Sequence, residues 1–471
     1  MSTYLLAFAI GDLVSKSTTT RDGTLVRVWS WRGTEMFLDE AVNTSKTCVE
    51  VMTDFTGIKF PLEKLDHLAV PHFAAGGMEN WGLIVYASQY VFFDPKQDTT
   101  VTRIGGIDVR CHEIAHQWFG DLVTADWWSD IMLHESFAAY FEDYALVQGW
   151  PSQINYLDPA YVGSSIEDGF KSDMNNSHPV ITTDGTFDGV VYAKGSGLFR
   201  MLSQLLSPTI FQSAIRDYLN KYQYSTANHY QLFEAMNEIV SQTGLTDWCN
   251  NPLNVTRFME PWLTQPHFPL LTVKYDQSSH TYFVDQQPFI PRDQLYPRGF
   301  NYAWPIPFYA QQIKTGSIKK YWTNRYYQCP HNFDADAAAT LPGVQIPAIN
   351  DNPLIVNANS NTFARIQYDD FTFNKIIDGL NQGYYKLSSE SLIRLINDEL
   401  ALVHRNAKFS GQTSYLRSMK IVASALINNN TNSAAVFQAA KSLIDEMVRL
   451  GVDMSERGLF EVSSFNFLLI H

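Results

Sequence analysis

Along the chain the spacing of apolar residues changes character three times. After the turn signal Arg21-Asp22-Gly23, residues 24–31 alternate apolar and polar, which predicts a β-hairpin. From about Ile104 to Trp262 apolar positions recur at three and four residues, the period of helices that bury one face. Beyond Pro266 and Pro269 the texture shifts to short β-rich runs at 271–275, 282–284 and 363–368, separated by Pro, Asn and Asp, as in a small β-sandwich. Helical periodicity returns from Phe373 onward, at 391–404, 414–427 and 434–450, with an Asn-rich turn at 428–432. The pattern predicts a multidomain α+β protein without a strict internal repeat.

Within the helical region lies His112-Glu113-Ile114-Ala115-His116, followed at a distance by Glu135. Residues four apart share a helix face, so His112 and His116 can direct imidazole nitrogens at one ion while Glu113 projects from the adjacent edge. Gly120 breaks that helix, and residues 121–130 turn the chain so that a second helix, over about 131–147, returns the Glu135 carboxylate. Two His and one carboxylate leave a fourth zinc position open, the pattern of a catalytic site. Zinc in such a site lowers the pKa of bound water from about 15.7 to about 7, within reach of Glu113 as general base. The structural alternative is a helix with two incidental histidines. Cys111, about a hundred degrees around the helix from His112, reads as a small buried core residue.

A second motif, Gly76-Gly77-Met78-Glu79-Asn80, puts two glycines ahead of a carboxylate in an apolar setting. The glycines permit close backbone approach to a ligand, and Glu79 suits an ammonium group. Taken alone the pentapeptide is a tight turn with a solvated Glu.

These two motifs, the WWSDIMLHESFAAYFE segment and Val190-Val191-Tyr192-Ala193-Lys194-Gly195 together closely resemble the M1 family of zinc aminopeptidases in order and spacing. Weaker similarity runs through Ser177-His178-Pro179-Val180, Phe258-Met259-Glu260-Pro261-Trp262 and Trp304-Pro305-Ile306-Pro307, covering most of the chain. The resemblance implies one Zn²⁺ per chain on His112, His116 and Glu135, with Glu113 as general base. It implies Tyr192 as the hydroxyl that steadies the oxyanion, and Gly76 to Asn80 as the substrate site, with Glu79 on the free α-amino group. The implied architecture is a remnant of an N-terminal β domain (1–15), a thermolysin-like, mainly helical catalytic domain (16–266), a β-sandwich (267–370) and a shortened helical domain (371–471). Residues 3–8 resemble the last strand of the family's N-terminal β domain. That domain contributes a second polar group to the amine site, for which the sequence offers no replacement. A shortened helical domain implies a more open cleft.

Three positions depart from the family pattern. His134 and Ser136 stand where Asn and Gly are usual, His134 reading as a solvated or packed neighbour of the site. Gly77 replaces the commoner Ala, a change expected only to add backbone freedom. Two other functions compete with the aminopeptidase: an M1-like peptide-binding protein that is weakly active or inactive, and a thermolysin-type endopeptidase with the same metal site but no amine anchor.

Composition narrows the picture further. The 471 residues are 45% hydrophobic and 14% aromatic, ample for sizeable cores. A formal charge of −14 argues against nucleic acid and suits peptides with cationic N-termini. Cys48, Cys111, Cys249 and Cys329 show no metal or redox spacing and leave the compartment open. No run reaches the roughly 18 apolar residues of a membrane span. Residues 4–10 are apolar but lack a basic n-region and cleavage site, so they read as a strand and not a signal peptide. M1 relatives include cell-surface and cytosolic enzymes.

Overall fold

The computed structural model describes residues 2–153, 160–290, 297–312, 317–323, 343–350, 352–384, 387–406, 415–427 and 434–449. The Asn-rich turn at 428–432 falls outside them. The chain divides into two compact units, one of residues 1–161 and 168–267, the other of 162–167 and 268–471.

The first unit opens with the expected hairpin, β1 (Leu13–Thr19) and β2 (Leu25–Trp31), closed by a turn in which Gly23 takes a φ of 87°. Helix α1 (Asp39–Thr56) follows, then β3 (Lys64–Val70), β4 (Gly77–Met78) and β5 (Leu83–Ala87). The sheet order is β1-β2-β3-β5-β4, parallel across β2-β3-β5 and antiparallel at both ends. Val26, Val28 and Ser30 of β2 are buried while their neighbours are half-buried, which is the period-2 alternation read from the sequence.

Helix α2 (Thr100–His116) carries both histidines of the motif, and Thr99 caps it by accepting from Thr102 N at 3.1 Å. The chain reverses through Gly120, whose φ of 135° few other residues tolerate. It passes through the short β6 (Val123–Ala125) and enters α3 (Met132–Gly149), the predicted second helix. Phe119, Phe137, Phe141 and Phe199 stack beneath this reversal, with ring centroids 4.0 Å apart for Phe137–Phe199 and 4.5 Å for Phe119–Phe137. Each such pair contributes about 0.5–1.5 kcal/mol beyond its buried area, so the end of α2 is fixed against α3 where ligands from both must meet.

Helix α4 (Ser165–Asn175) is followed by a π-helical turn, Val190–Lys194, and then by α5 (Gly195–Leu206), α6 (Pro208–Tyr222), β7 (Ser225–Ala227), α7 (His229–Val240) and α8 (Val255–Thr264). Lys194 is fully buried, paired with Asp173 at 2.8 Å and donating to the His267 carbonyl at 2.9 Å. A buried charge so partnered ties the π turn to the loop that closes the unit.

The second unit contains the four-stranded sheet β12-β9-β8-β14 and the three-stranded sheet β11-β10-β13. These are built from β8 (Pro269–Asp276), β9 (Thr281–Pro288), β10 (Pro307–Gln312), β11 (Ile318–Trp322), β12 (Val344–Pro347), β13 (Leu354–Val356) and β14 (Arg365–Tyr368). Helices α9 (Asp370–Asn381), α10 (Ser389–Asn406), α11 (Leu416–Ile427) and α12 (Ala434–Arg449) follow. Arg365 and Arg394 are buried against Glu167 and Asp398, a closed network in which each charge has an opposite.

Two expectations are corrected. Residues 3–8 do not form a strand: Thr3–Leu5 is a single 3-10 turn, and Leu6, Phe8 and Ile10 are 75%, 84% and 93% exposed. Among the described residues no strand pairs with this segment, and a strand requires a partner for its backbone groups. Cys111 is buried as expected, but it is not merely a packing residue: it forms a disulfide with Cys48 that joins α2 to α1. Cys249 is also disulfide-bonded.

Replacing Cys48 and Cys111 together by Ser is expected to lower stability by about 4 kcal/mol, the chain-entropy value for a loop of this length, the two cysteines being 63 residues apart. Urea unfolding of the oxidised wild type and the double variant measures the difference.

Candidate metal and substrate site

Three ligand atoms converge where α2 meets the start of α3. His112 Nε2 lies 3.1 Å from His116 Nε2, and Glu135 Oε2 lies 3.5 Å and 3.3 Å from these two nitrogens. Zinc bonds of about 2.0–2.1 Å at tetrahedral angles separate neighbouring ligand atoms by about 3.3 Å, so this donor set fits that ion. The opposite ring nitrogens are engaged elsewhere: His112 Nδ1 with Glu142 Oε2 at 2.7 Å, and His116 Nδ1 with the Phe119 carbonyl at 3.0 Å. Donating from Nδ1 leaves the Nε2 lone pair of each ring for a metal.

The surrounding charges favour a cation at this point. Burial resists protonation of His112, but Glu135 and Glu142 outweigh it and hold its pKa well above the ordinary value. His116 is raised to about 9, because Glu79 and Glu135 overcome its burial. Burial alone would raise Glu135, yet the two histidines hold it well below the carboxylate range. Glu79, Glu113 and His116 also offer atoms within 4.8 Å of one another, and the separations of 3.1, 3.5 and 3.3 Å at His112, His116 and Glu135 are those of a zinc coordination shell.

Glu113 stands beside this cluster, buried, with Oε2 lacking a hydrogen-bond partner among the described residues. Burial pushes its carboxyl up to about 8, against the opposing pull of His112 and His116. The backbone of Gly77 presses against it, and a methyl group at that position would overlap the Glu113 carboxylate. The glycine therefore supplies space as well as the backbone freedom expected of it.

Glu79 is held from two directions. Gln117, the residue after His116, donates to the Glu79 carbonyl at 2.9 Å and accepts from Gly82 N at 3.0 Å, bracketing the loop between β4 and β5. Tyr4 donates its hydroxyl to Glu79 Oε1 at 3.1 Å. A second polar group therefore reaches Glu79, from an N-terminal segment whose sequence carries no signal for that contact. His134 is packed and not solvated. It is 2% exposed, its Nε2 accepts from Ala125 N at 2.8 Å, and burial lowers its pKa to about 4.

Tyr192 sits on the π-helical turn with its ring parallel to His112, the centroids 5.9 Å apart. Burial first, then the nearby Glu135, keeps its hydroxyl firmly protonated. Insertions of this kind are frequent at functional sites. Asp188 Oδ1 accepts from Val190 N at 2.9 Å, while its Oδ2 lies 2.8 Å from His178 Nε2. Ser136 donates to the Val191 carbonyl at 2.6 Å from α3. These contacts give the Ser177–Val180 similarity and the Ser136 departure a physical role, which is aiming Tyr192.

All ten residues singled out from the sequence lie in this region, and a cavity of about 980 Å³ opens beside nine of them, Asn80 not being among its lining residues. Glu142, Gln117, Asp188 and Tyr4 were not singled out. Glu142, seven residues after Glu135, faces the same side of α3, and that spacing was the available signal.

Residues 40–262 match the peptidase family M1 domain. The chain is 35% identical to a putative aminopeptidase-2 of Caenorhabditis elegans over 96% of its own length and 24% of that protein. It is 29% identical to aminopeptidase N of Haemonchus contortus (86% and 42%) and 27% identical to endoplasmic reticulum aminopeptidase 1 of Mus musculus (98% and 49%). The chain thus spans between 24% and 49% of these relatives' lengths. The helix-borne HExxH with its distal glutamate, the GGMEN loop and the tyrosine-bearing turn all fall within the matched segment, and residues 40–262 are identified as an M1 peptidase domain.

Proposed function

We propose that this chain is the catalytic part of a zinc-dependent aminopeptidase that removes the N-terminal residue of peptides. The observation that carries the reading is the convergence of His112, His116 and Glu135 with Glu79 and Glu113 at one cavity. His112, His116 and Glu135 would hold the ion. When bound, it supplies Lewis-acid polarisation of the peptide carbonyl and makes water acidic near neutrality.

The protein's own groups do the rest. Glu79 pairs with the substrate's α-ammonium, whose free pKa is about 8, and so sets the first peptide bond beside Glu113. Removal of one residue at a time follows from that anchor. Glu113 takes the proton from the attacking water and returns it to the departing amine nitrogen. The Tyr192 hydroxyl, kept protonated, donates to the carbonyl oxygen as negative charge develops there. Tyr4 restricts the Glu79 carboxylate to one orientation, which lowers the ordering cost of binding the amine.

The buried Cys48–Cys111 disulfide supports folding in an oxidising compartment, because such bonds rarely persist in a reducing cytosol. Among the described residues no helix is long and apolar enough to cross a membrane.

Purified protein loaded with zinc is expected to hydrolyse an unblocked aminoacyl amide and to lose that activity when the substrate's amino group is acetylated. Cleavage of the blocked substrate at a similar rate would instead identify an endopeptidase of the thermolysin type. Tyr192→Phe should keep its zinc and lose roughly two or more orders of magnitude in kcat, the effect of removing one oxyanion donor; near-normal turnover takes the tyrosine out of the reaction. Glu142→Gln, which weakens the support of His112, should reduce zinc affinity about 10–100-fold in a chelator competition assay.

A further inference from the structure

The cavity has two chemically different ends. At one, Glu79 receives the Tyr4 hydroxyl and lies with Glu113 and His116. At the other, Glu142 engages His112, and Asp108 lies one helical turn before His112 on the same face of α2. Asp108, Val109 and Gly105 all line the cavity here.

Asp108 is not accounted for by the site as described. Its Oδ1 is shut off from solvent and has no hydrogen-bond partner among the described residues. An unpaired carboxylate in that setting is unfavourable. Burial, then the charge of Glu142, pushes its pKa well up against the weaker pull of His112, so a cation brought beside Asp108 would supply the charge that lets it ionise. Beside it there is room: where a side chain at Gly105 would project, nothing lies within 4 Å.

The direction of the substrate follows from the aminopeptidase reading, on which this inference rests. With the α-ammonium at Glu79 and the first carbonyl at the ligand cluster, the chain continues toward the His112 end. The next Cα is about 3.8 Å further on, and its side chain enters the space bordered by Asp108. We propose that Asp108 is a specificity-determining residue that receives a cationic side chain, lysine or arginine, on the second residue of the substrate. Val109 offers an apolar wall for the methylene stem, and the charged head meets the unpartnered carboxylate.

The test compares Ala-Lys-Ala, Ala-norleucine-Ala, Ala-Glu-Ala and alanine amide. Norleucine keeps the lysine stem without its charge, so the lysine-to-norleucine ratio isolates the ionic contact. In the wild type kcat/KM for the lysine peptide should exceed that for norleucine by about tenfold or more, mainly through KM, with the glutamate peptide lowest. In Asp108→Asn the ratio should fall toward one, and in Asp108→Lys the glutamate peptide should overtake the lysine peptide, an inversion that general damage cannot produce. Equal use of lysine and norleucine by the wild type, or an unchanged ratio in Asp108→Asn, overturns the assignment. Alanine amide has no second side chain and reports on the underlying reading separately: if it is cleaved without any lysine preference, only the role of Asp108 falls. Failure of zinc-loaded, folded protein to cleave any of the four substrates removes the aminopeptidase reading and this inference with it.

Discussion

Three electron-rich atoms, two imidazole nitrogens and a carboxylate oxygen, are held within 3.5 Å of one another and largely away from bulk water. With neither a metal ion nor protons between them such acceptors repel and lose hydration, so the polypeptide must oppose their separation by other means. Much of the first unit does this. The phenylalanine stack beneath Gly120 fixes the angle at which α2 hands over to α3, and the disulfide anchors α2 to α1 at the residue before His112. Glu142 and the Phe119 carbonyl then settle which ring nitrogen of each histidine faces inward.

The same economy of positioning extends to the groups around the cluster. Tyr192 rides on a turn with one residue too many for an α-helix. That turn is secured at its amides by Asp188, at a carbonyl by Ser136 and at its end by buried Lys194. Glu79 is secured through its backbone by Gln117, the neighbour of His116, so Glu79 and the His112–His116–Glu135 cluster are tied through adjacent residues at the end of one helix. Groups held through their neighbours in this way would require little reordering in the proposed reaction.

The sequence was most readable where chemistry and periodicity coincide. A helical spacing of four at His112 and His116, a break at Gly120 and a second helical run carrying Glu135 leave few geometries open, and α2 and α3 follow them closely. The strands at 271–275 and 282–284 were likewise visible through β-rich runs between turn residues, as cores of the longer β8 and β9. What stayed hidden depends on contacts between distant residues. Nothing local to Cys48 or Cys111 announces their pairing, since the partners are 63 residues apart on different helices. The coil at residues 6–10 carries a strand's composition but pairs with no strand among the described residues, and composition does not report which neighbours a segment meets. Tyr4 reaches Glu79 across 75 positions of sequence, for which periodicity has no signal.

Gly77 carries one last implication. Because the main chain of β4 lies directly against Glu113, that carboxylate is seated against peptide backbone and not against a side chain that could swing aside. The thickness of whatever occupies position 77 therefore acts as a spacer between the strand and the acid. In the proposed reaction, a single added carbon at position 77 would change how deeply the Glu113 carboxylate is recessed from the reacting water.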